Sequence, residues 1–220
     1  MALNKQKGNM YAFVTHTWNA IKGKCPHDCE YCYMKEFPQG ELKFDEKELK
    51  TDLGEGNFIF VGSSCDMFAD AVPSQWILDT LIHCNRYQNN TYLFQTKNPK
   101  RFQEFQRLFP ENTIIGTTIE TNRENDLANC PSRAERVEFI SIDYPVLKRK
   151  MITIEPIMDF DVPKLTEWIG AIRPEWVNIG ADSKNHNLPE PSRFKIDLLI
   201  TALEKITKVK RKDNLARINE

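Results

Sequence analysis

Three cysteines lie close together near the start of the sequence. Cys25, Cys29 and Cys32 form a C-x3-C-x2-C motif within KCPHDCEYCY, with a tyrosine directly before the last cysteine. Three thiolates can hold three irons of a cubane and leave the fourth iron without a protein ligand. The motif therefore predicts one [4Fe-4S] cluster with an open iron.

A zinc site is the alternative. His27 within the motif, or the more distant His16, would complete a set of three cysteines and one histidine. Zinc knuckles usually arrange their ligands as two pairs, whereas these three cysteines share one loop and no second pair follows. The spacing favours iron, and metal analysis separates the two.

An open iron can bind a small molecule. The amino and carboxylate groups of S-adenosyl-L-methionine (SAM) would chelate it, and an electron from the reduced cluster would cleave a carbon–sulfur bond of the sulfonium. The resulting 5′-deoxyadenosyl radical would take a hydrogen atom from a substrate. Cluster potentials span about −700 to +450 mV, and this reduction requires the negative end of that range. The protein supplies position and excludes water.

The bulk composition indicates one domain over residues 1–220, with a basic tail at 205–220. The chain is 40% hydrophobic and long enough to bury a core without disulfide bonds. Its net charge of −1 gives no overall field to attract nucleic acid or membrane. No run approaches roughly 18 apolar residues, and the start MALNKQKG is not typical of a signal peptide. Cysteines crowded into one motif are typical of metal ligation in a reducing compartment, so we expect a soluble, cytoplasmic protein with no membrane partner.

Apolar runs of strand character alternate with amphipathic helical stretches along almost the whole sequence. The predicted strands are 11–16, 58–62, 91–95, 113–118, 151–155 and 177–180. The predicted helices are 44–52, 73–87, 100–108, 132–139, 162–172 and 193–206. The alternation indicates βα units.

Repeated βα units favour a parallel sheet, because each helix returns the chain in a right-handed crossover before the next strand begins. We predict an α/β fold, a partial (β/α)6 barrel of the TIM type with parallel strands. A doubly wound sheet is the rival arrangement. In both, functional side chains lie beyond the carboxyl ends of the strands.

The cysteine motif and the βα pattern together resemble the radical SAM superfamily. More narrowly, the segments THTWN (15–19), TIEP (153–156) and WVNIG (176–180) look like a small, phage-associated radical SAM family related to spore photoproduct lyase. The resemblance implies an enzyme that uses a [4Fe-4S] cluster and SAM, with an electron donor of the flavodoxin or ferredoxin type. It also implies that Tyr31 lies against the adenine of SAM.

The turn after the second predicted strand reads GSSCD, residues 62–66. Ser64 and Asp66 resemble a serine–aspartate element of the lyase group, which implies SAM binding, and the Asp66 carboxylate could accept from the amino group of SAM. The alternative is a polar turn that caps the next helix. Cys65 is a candidate donor of a hydrogen atom to a product radical, although it is offset from the donor cysteine of the relatives. The alternative for Cys65 is a packed cysteine.

The next two predicted strands also end in polar residues. The Lys97 ammonium suits a carboxylate, and it matches a lysine that binds the methionine carboxylate in the lyase-like proteins; a solvated lysine is the alternative. Alternation puts Thr118 and Glu120 on one face of their strand. The resemblance implies a ribose contact for Thr118, and Glu120 could hydrogen-bond the same sugar or the substrate.

Two acids leave the last predicted strands at equivalent places, Glu155 after the fifth and Asp182 after the sixth. Strand ends of a barrel point into a shared cleft. We therefore predict a catalytic, acid–base role for Glu155 and a role in SAM binding for Asp182. Helix capping is the alternative for both.

Two functions stay open at this point. The first is a radical SAM enzyme. Kinship to a lyase acting on damaged DNA suggests a nucleobase or nucleic-acid substrate, but the near-neutral charge weakens that inference, and a small nucleotide or a protein side chain fits nearly as well. The second is a non-enzymatic zinc module that binds nucleic acid through the basic tail, with an affinity that depends on salt.

Overall fold

An eight-stranded sheet carries the fold. Its strands, in their order across the sheet, are β1 (Asn4–Lys5), β2 (His16–Trp18), β5 (Phe58–Val61), β6 (Thr91–Gln95), β7 (Thr113–Thr118), β8 (Arg149–Ile154), β9 (Trp176–Ile179) and β10 (Lys208–Arg211). β1 is antiparallel to β2, and every other neighbouring pair is parallel. A separate antiparallel ribbon joins β3 (Ile21–Lys22) to β4 (Lys43–Phe44). The computed structural model describes residues 3–6 and 11–218.

Helices connect the parallel strands. In the described part of the chain the α-helices are α1 (Ser74–Asn85), α2 (Phe102–Phe105), α3 (Arg133–Ser141), α4 (Val162–Ile172) and α5 (Arg193–Leu203). Shorter 3-10 helices cover Tyr33–Glu36, Glu46–Lys50, Pro99–Arg101 and Asp213–Arg217. Within the described ranges, no helix combines the length and apolar character needed to cross a membrane.

The strand order decides between the two predicted arrangements. From β2 to β10 the strands of the main sheet follow one another in sequence order. A doubly wound sheet instead reverses its order at a switch point, so that rival is wrong. The parallel α/β sheet is confirmed. Within residues 3–6 and 11–218, β1 and β10 are the edge strands and the sheet is open.

The two faces of the sheet bury different cores, because successive side chains of a strand point to opposite faces. One face packs on the helices through residues that include Ile59, Phe94, Ile115, Ile152 and Val177. The opposite face carries a smaller cluster of Tyr11, Val14, Phe60, Leu93, Ile114, Met151 and Trp176. Fully burying one such side chain contributes roughly 1.5–3 kcal/mol.

Two sequence predictions about elements are wrong. The first strand lies at His16–Trp18 and not at 11–16, because the rings of Tyr11 and Phe13 stack on each other, with centroids 5.3 Å apart, and these residues do not pair in the sheet. The predicted helix 44–52 is the end of β4 followed by a 3-10 helix, whose first turn is capped when Lys47 N donates to the Asp45 side chain. The segment 205–220, predicted as a basic tail, contains strand β10.

Candidate functional site

The cysteine motif lies on a loop between the two strands of the β3–β4 ribbon. Lys24 N donates to the Gly40 carbonyl at 2.9 Å, which closes the base of this loop. Gly23 has φ +102°, and a Cβ there would lie 2.1 Å from the Glu41 carbonyl oxygen. Only glycine fits such a position, so Gly23 and the ribbon fix where the cysteine loop begins.

Cys25, Cys29 and Cys32 line a cleft beyond the carboxyl ends of β5, β6 and β7. Other lining residues come from the turn after β5, the end of β6 and the end of β7: Gly62, Ser63, Ser64, Cys65, Asp66, Gln95, Thr96, Lys97 and Thr118. The cleft is open to solvent on one side.

The candidate ligands do not form a ready site for a single metal ion in the described part of the chain. Among residues 3–6 and 11–218, no three His, Cys, Asp or Glu side chains converge to hold one metal ion. Both ring nitrogens of His27 are taken, Nε2 by Asp66 Oδ2 and Nδ1 by the Asn129 carbonyl, each at 2.9 Å. The zinc alternative thus loses the histidine of the motif as a ligand. The thiolates of a cluster bind separate irons and need no common point.

A neighbouring thiol and burial set the ionisation of the cysteines. The neighbouring Cys65 thiol holds the pKa of Cys25 below its usual value, and Cys25 raises the pKa of Cys65. Burial raises the pKa of Cys29 to about 11 and also raises the pKa of Cys32. Cys25 is therefore the most acidic thiol of the loop, and the predicted hydrogen-atom donor Cys65 lies beside it.

Asp66 receives hydrogen bonds from three chain segments. His27 Nε2, Thr96 Oγ1 and Lys97 N lie 2.9, 2.9 and 2.8 Å from its Oδ2 atom, and Phe68 N donates to Oδ1 at 3.0 Å. Burial favours the neutral acid, but the charge of His27 and these donors outweigh it and lower the pKa of Asp66. Asp66 borders the cleft as an ionised carboxylate that is already engaged by protein groups.

The structure brings the predicted residues Tyr31, Lys97 and Glu120 into direct contact. Tyr31 OH donates to Glu120 Oε1 at 2.8 Å, Lys97 Nζ donates to Tyr31 OH at 3.1 Å, and Lys97 also forms an ion pair with Glu120. Two arginines of α3 complete the network, with Arg133 Nε at 3.3 Å and Arg136 Nη1 at 3.1 Å from Glu120 Oε2. Three cations therefore surround one fully buried carboxylate.

Electrostatics keeps this network ionised. Burial alone would raise the pKa of Glu120, but Lys97, Arg136 and Arg133 outweigh it and hold that pKa well below its usual range. Burial alone would lower the pKa of Lys97, and the Glu120 charge raises it instead. Lys97 is thus a permanent cation at the wall of the cleft.

Thr118 and Ser64 bring hydroxyl groups to the same cleft. Thr118 Oγ1 accepts from Gln95 Nε2 at 3.0 Å, and the Thr118 carbonyl accepts from Arg136 Nη1 at 2.9 Å. Ser64 N donates to Asn19 Oδ1 at 3.0 Å, which fixes the turn after β5. Both predicted residues therefore border the cavity that the cysteines line.

Glu155 lies after β8 and pairs with the chain that follows β10. Its Oε2 accepts from Lys212 Nζ at 2.7 Å and its Oε1 from Asn214 Nδ2 at 2.9 Å. Gly180 opposite has no side chain, and a Cβ there would lie 2.7 Å from Glu155 Oε1. Glu155 is not among the residues that line the cysteine cleft.

Asp182 turns into its own loop. Its carboxylate accepts from Lys184 N at 3.1 Å and from His186 N, and its Oδ1 lies 2.7 Å from His186 Nδ1. Burial favours the neutral acid, but these donors outweigh it, so the pKa of Asp182 lies below its usual value. The structure does not bring Asp182 to the lining of the cysteine cleft, and its contacts hold a loop in which no helix begins.

Sequence reasoning missed the two arginines and the true partners of His27. Arg133, Arg136, Val137 and Ile140 recur at i, i+3, i+4 and i+7, which is one face of a helix. All four are buried. An arginine on an apolar helix face requires a buried partner, and that pattern was the available signal.

The chain matches the model of a family described as "Protein of unknown function (DUF5131)" over residues 9–198. No curated protein sequence matches it. Solved structures of spore photoproduct lyase are similar in fold. A cysteine-to-serine mutant has a TM-score of 0.66 and 9% identity, over 94% of this chain and 78% of that chain.

Two further structures of the lyase contain ligands. A cysteine-to-alanine mutant with dinucleoside spore photoproduct has a TM-score of 0.61 and 10% identity, over 93% of this chain and 66% of that chain. A double mutant with bound AdoMet and dinucleoside spore photoproduct has a TM-score of 0.55 and 10% identity, over the same shares. At such identity the likeness shows a shared fold.

Proposed function

The chain belongs to the DUF5131 family, and we propose that it is a radical SAM enzyme with one [4Fe-4S] cluster held by Cys25, Cys29 and Cys32. One observation carries the proposal: the three cysteines line the same cleft as the carboxyl ends of β5, β6 and β7. Functional side chains of parallel α/β folds gather at these ends. A similar solved structure holds AdoMet.

Cys25, Cys29 and Cys32 would hold the cluster, which, when bound, would supply an open iron for SAM and the electron for cleavage of SAM to a 5′-deoxyadenosyl radical that abstracts hydrogen from the substrate. Lys97 binds the methionine carboxylate in this proposal. Its ammonium has three N–H donors, of which Tyr31 and Glu120 engage two. Ser64 and Thr118 offer hydroxyls to the amino group and the ribose, and the Tyr31 ring takes the adenine.

The carboxylates serve different purposes. Glu120 is fully buried among cations, so we assign it to holding Lys97 and Tyr31 rather than to a sugar contact. Cys65 lines the cleft, which supports its role as a hydrogen-atom donor to a product radical. Glu155 acts on the substrate from the end of β8 as an acid or base, and Asp182 supports the adjoining loop.

We further propose that the sheet curves as a partial (β/α)6 barrel of the TIM type. Residues before β2 contact the far strands: the Phe13 ring lies 5.1 Å from the Trp176 ring of β9, and Lys210 Nζ of β10 lies 4.2 Å from the Phe13 ring. A flat sheet would keep these strands apart, since neighbouring strands are about 4.8 Å apart. Curvature would draw the strand ends together around the cleft.

The proposed substrate is a nucleobase or a nucleic-acid lesion. Two of the similar solved structures hold dinucleoside spore photoproduct. In this chain the ring of Tyr33, 45% exposed, lines the cleft, and Phe37, 56% exposed, follows on the same loop. Exposed aromatic rings stack on bases. A one-electron donor of the flavodoxin or ferredoxin type and a reducing, cytoplasmic setting complete the proposal.

Anaerobic reconstitution tests the proposed function. We expect four irons per chain, and 5′-deoxyadenosine when SAM and dithionite are added. Replacing Cys29 by serine should lower the iron content and abolish product. Cys84→Ala is the matched control, because Cys84 is a fully buried cysteine of α1 outside the cleft.

The same measurements can reject the proposal. Stoichiometric zinc in protein prepared without oxygen, together with tight, salt-dependent binding of nucleic acid, would indicate the zinc module instead. About eight irons per chain would contradict a single cluster. Loss of iron in Cys84→Ala equal to that in Cys29→Ser would show that the cleft is not the iron site.

A further inference from the structure

We infer that Asp66 and His27 form a clasp that docks the cysteine loop onto the end of β6, and that Asp66 is a positioning residue rather than a SAM ligand. The inference rests on the proposed function, because it concerns how the loop of the cluster ligands is held. All contacts of the clasp are between protein groups, so it does not need a metal to form.

One side of the clasp is the turn after β5. Asp66 Oδ2 takes hydrogen bonds from the Thr96 hydroxyl and from Lys97 N at the end of β6, at 2.9 and 2.8 Å. Phe68 N holds the other oxygen at 3.0 Å. These contacts fix the position of the carboxylate that the His27 ring meets.

The other side of the clasp is the segment before α3. His27 Nδ1 lies 2.9 Å from the Asn129 carbonyl, and Asn129 N donates to the His27 carbonyl at 2.7 Å. Glu30 N donates to the Leu127 carbonyl at 2.8 Å. The cysteine loop is therefore held from both sides, with the His27 ring bridging them.

The position of His27 explains why the clasp acts on the ligands. It lies between Cys25 and Cys29 in the sequence, so fixing its ring fixes the backbone that carries both thiols. A carboxylate has about four acceptor sites, and four protein donors already engage that of Asp66. An amino group of SAM would have to displace one of them.

The chain offers a matched pair as a control. His186 Nδ1 lies 2.7 Å from Asp182 Oδ1, so it repeats the contact between an imidazole and a carboxylate. That pair lies in the loop after β9 and does not line the cysteine cleft. His186→Ala therefore removes the same kind of contact from a pair that, within the described residues, forms no hydrogen bond with the cysteine loop.

Hydrogen exchange of the metal-free protein is the first test. A hydrogen bond to a charged group opposes local opening by about tenfold or more. We expect His27→Ala to speed exchange of the Glu30 and Cys32 amides by at least that factor, with the amides of β6 and β7 unchanged as a check of folding. His186→Ala should leave the cysteine loop at the wild-type rate. Equal exchange of the loop in both variants would overturn the clasp.

The second test uses the reconstituted protein and a spectroscopic signal. In His27→Ala we expect the wild-type iron content at saturation but slower iron uptake and a broadened electron paramagnetic resonance signal of the reduced cluster. His27→Gln keeps one donor towards Asp66 and should restore part of the wild-type line width. An unchanged signal in His27→Ala would reject a positioning role.

The two levels of the argument fail separately. If wild-type protein takes up no iron while His27→Ala still loosens the loop, the proposed function is wrong and the clasp is real. If wild-type protein takes up four irons and the loop of His27→Ala exchanges at the wild-type rate, the clasp is wrong and the proposed function is untouched.

Discussion

The carboxyl ends of the sheet fall into two halves that treat their charges differently. At the near half, β5 to β7, Glu120 is fully buried and meets Lys97, Arg133 and Arg136, which come from β6 and α3. At the far half, β8 to β10, the acid Glu155 forms an ion pair with a single lysine. The near half keeps more cations than acids beside its cleft.

The difference teaches what an acid at a strand end does. Glu120 and Asp66 join segments that are remote in sequence, and so they hold the cleft together. Asp182 instead bonds to residues of its own loop, and Glu155 joins the end of β8 to the chain that follows β10. The surplus of positive charge in the near half suits the proposed contact with the carboxylate of SAM. In the far half, the charge of Glu155 is balanced by that of Lys212.

The largest expected effect comes from removing the buried carboxylate of the near half. Glu120→Gln leaves Lys97, Arg133 and Arg136 buried without a counter-charge, and breaking such a pair costs about 3–5 kcal/mol. Urea unfolding at pH 7 measures the loss. The control is Glu175→Gln, because the Arg149–Glu175 pair is 45% and 41% exposed and should lose less than about 1 kcal/mol. Similar losses in both variants would mean that burial among cations does not set the cost of removing an acid.

Acid should destabilise the protein through the two engaged carboxylates of the near half. The folded pKa values of Glu120 and Asp66 are lowered, whereas unfolded Glu and Asp titrate near about 4.3 and 3.9. Their stabilisation is therefore present above that range and is lost as the pH falls towards the lowered values. We expect the free energy of unfolding of the wild type to drop between pH 5 and pH 3.

Glu120→Gln should show a shallower drop over the same pH interval, since one of the two carboxylates no longer titrates. Urea unfolding at a series of pH values gives both slopes. Parallel slopes for the wild type and the variant would show that the buried network does not carry the acid sensitivity.

Local patterns predicted the sheet well where a strand is one apolar run. β6 and β7 have the predicted limits of 91–95 and 113–118, because β-branched and aromatic residues fill them and polar turns bound them. β10 was missed because Lys208–Arg211 contains a single apolar residue, Val209, which packs against the main core. The sheet neighbour β9 decides that this segment is a strand, and the sequence does not display that neighbour.

The sequence predicted the site only where its residues are close together in the chain. Cys25, Cys29 and Cys32 are close in sequence, so their grouping on one loop followed from the motif. The partner of Asp66 is His27, 39 positions away, and the partners of Glu120 lie on another element. Such pairings depend on how the strands align, which composition and periodicity do not encode.

Two glycines sharpen the comparison between the halves at a smaller scale. In Gly180→Ala the new Cβ would lie 2.7 Å from Glu155 Oε1 and 2.9 Å from Asn214 Oδ1, so the acid of the far half must move. In Gly116→Ala the Cβ would meet the Met151 side chain at 3.1 Å, and a methionine can shift. Overpacking costs about 1–3 kcal/mol, and we expect Gly180→Ala near the upper end and Gly116→Ala near the lower. Thermal unfolding ranks the two, and the reverse order would show that Glu155 is not held tightly.

The smallest expected effect comes from removing the charge of Lys210, a cation of the far half that lies against aromatic rings. Lys210 Nζ lies 4.2 Å from the centroids of both the Phe13 and the Trp176 rings, a contact worth about 0.5–1 kcal/mol at an exposed site. Lys210→Met keeps the length of the side chain and removes the charge, so we expect a loss of that size in urea unfolding. Lys208→Met is the control, because Lys208 is exposed at the start of the same strand and contacts no ring in the part of the chain that the structure describes. If both variants unfold alike, the aromatic rings do not hold Lys210, and the segment before β2 is linked to the far strands by the packing of Phe13 against Trp176 and the hydrogen bond of Tyr11 with Thr153.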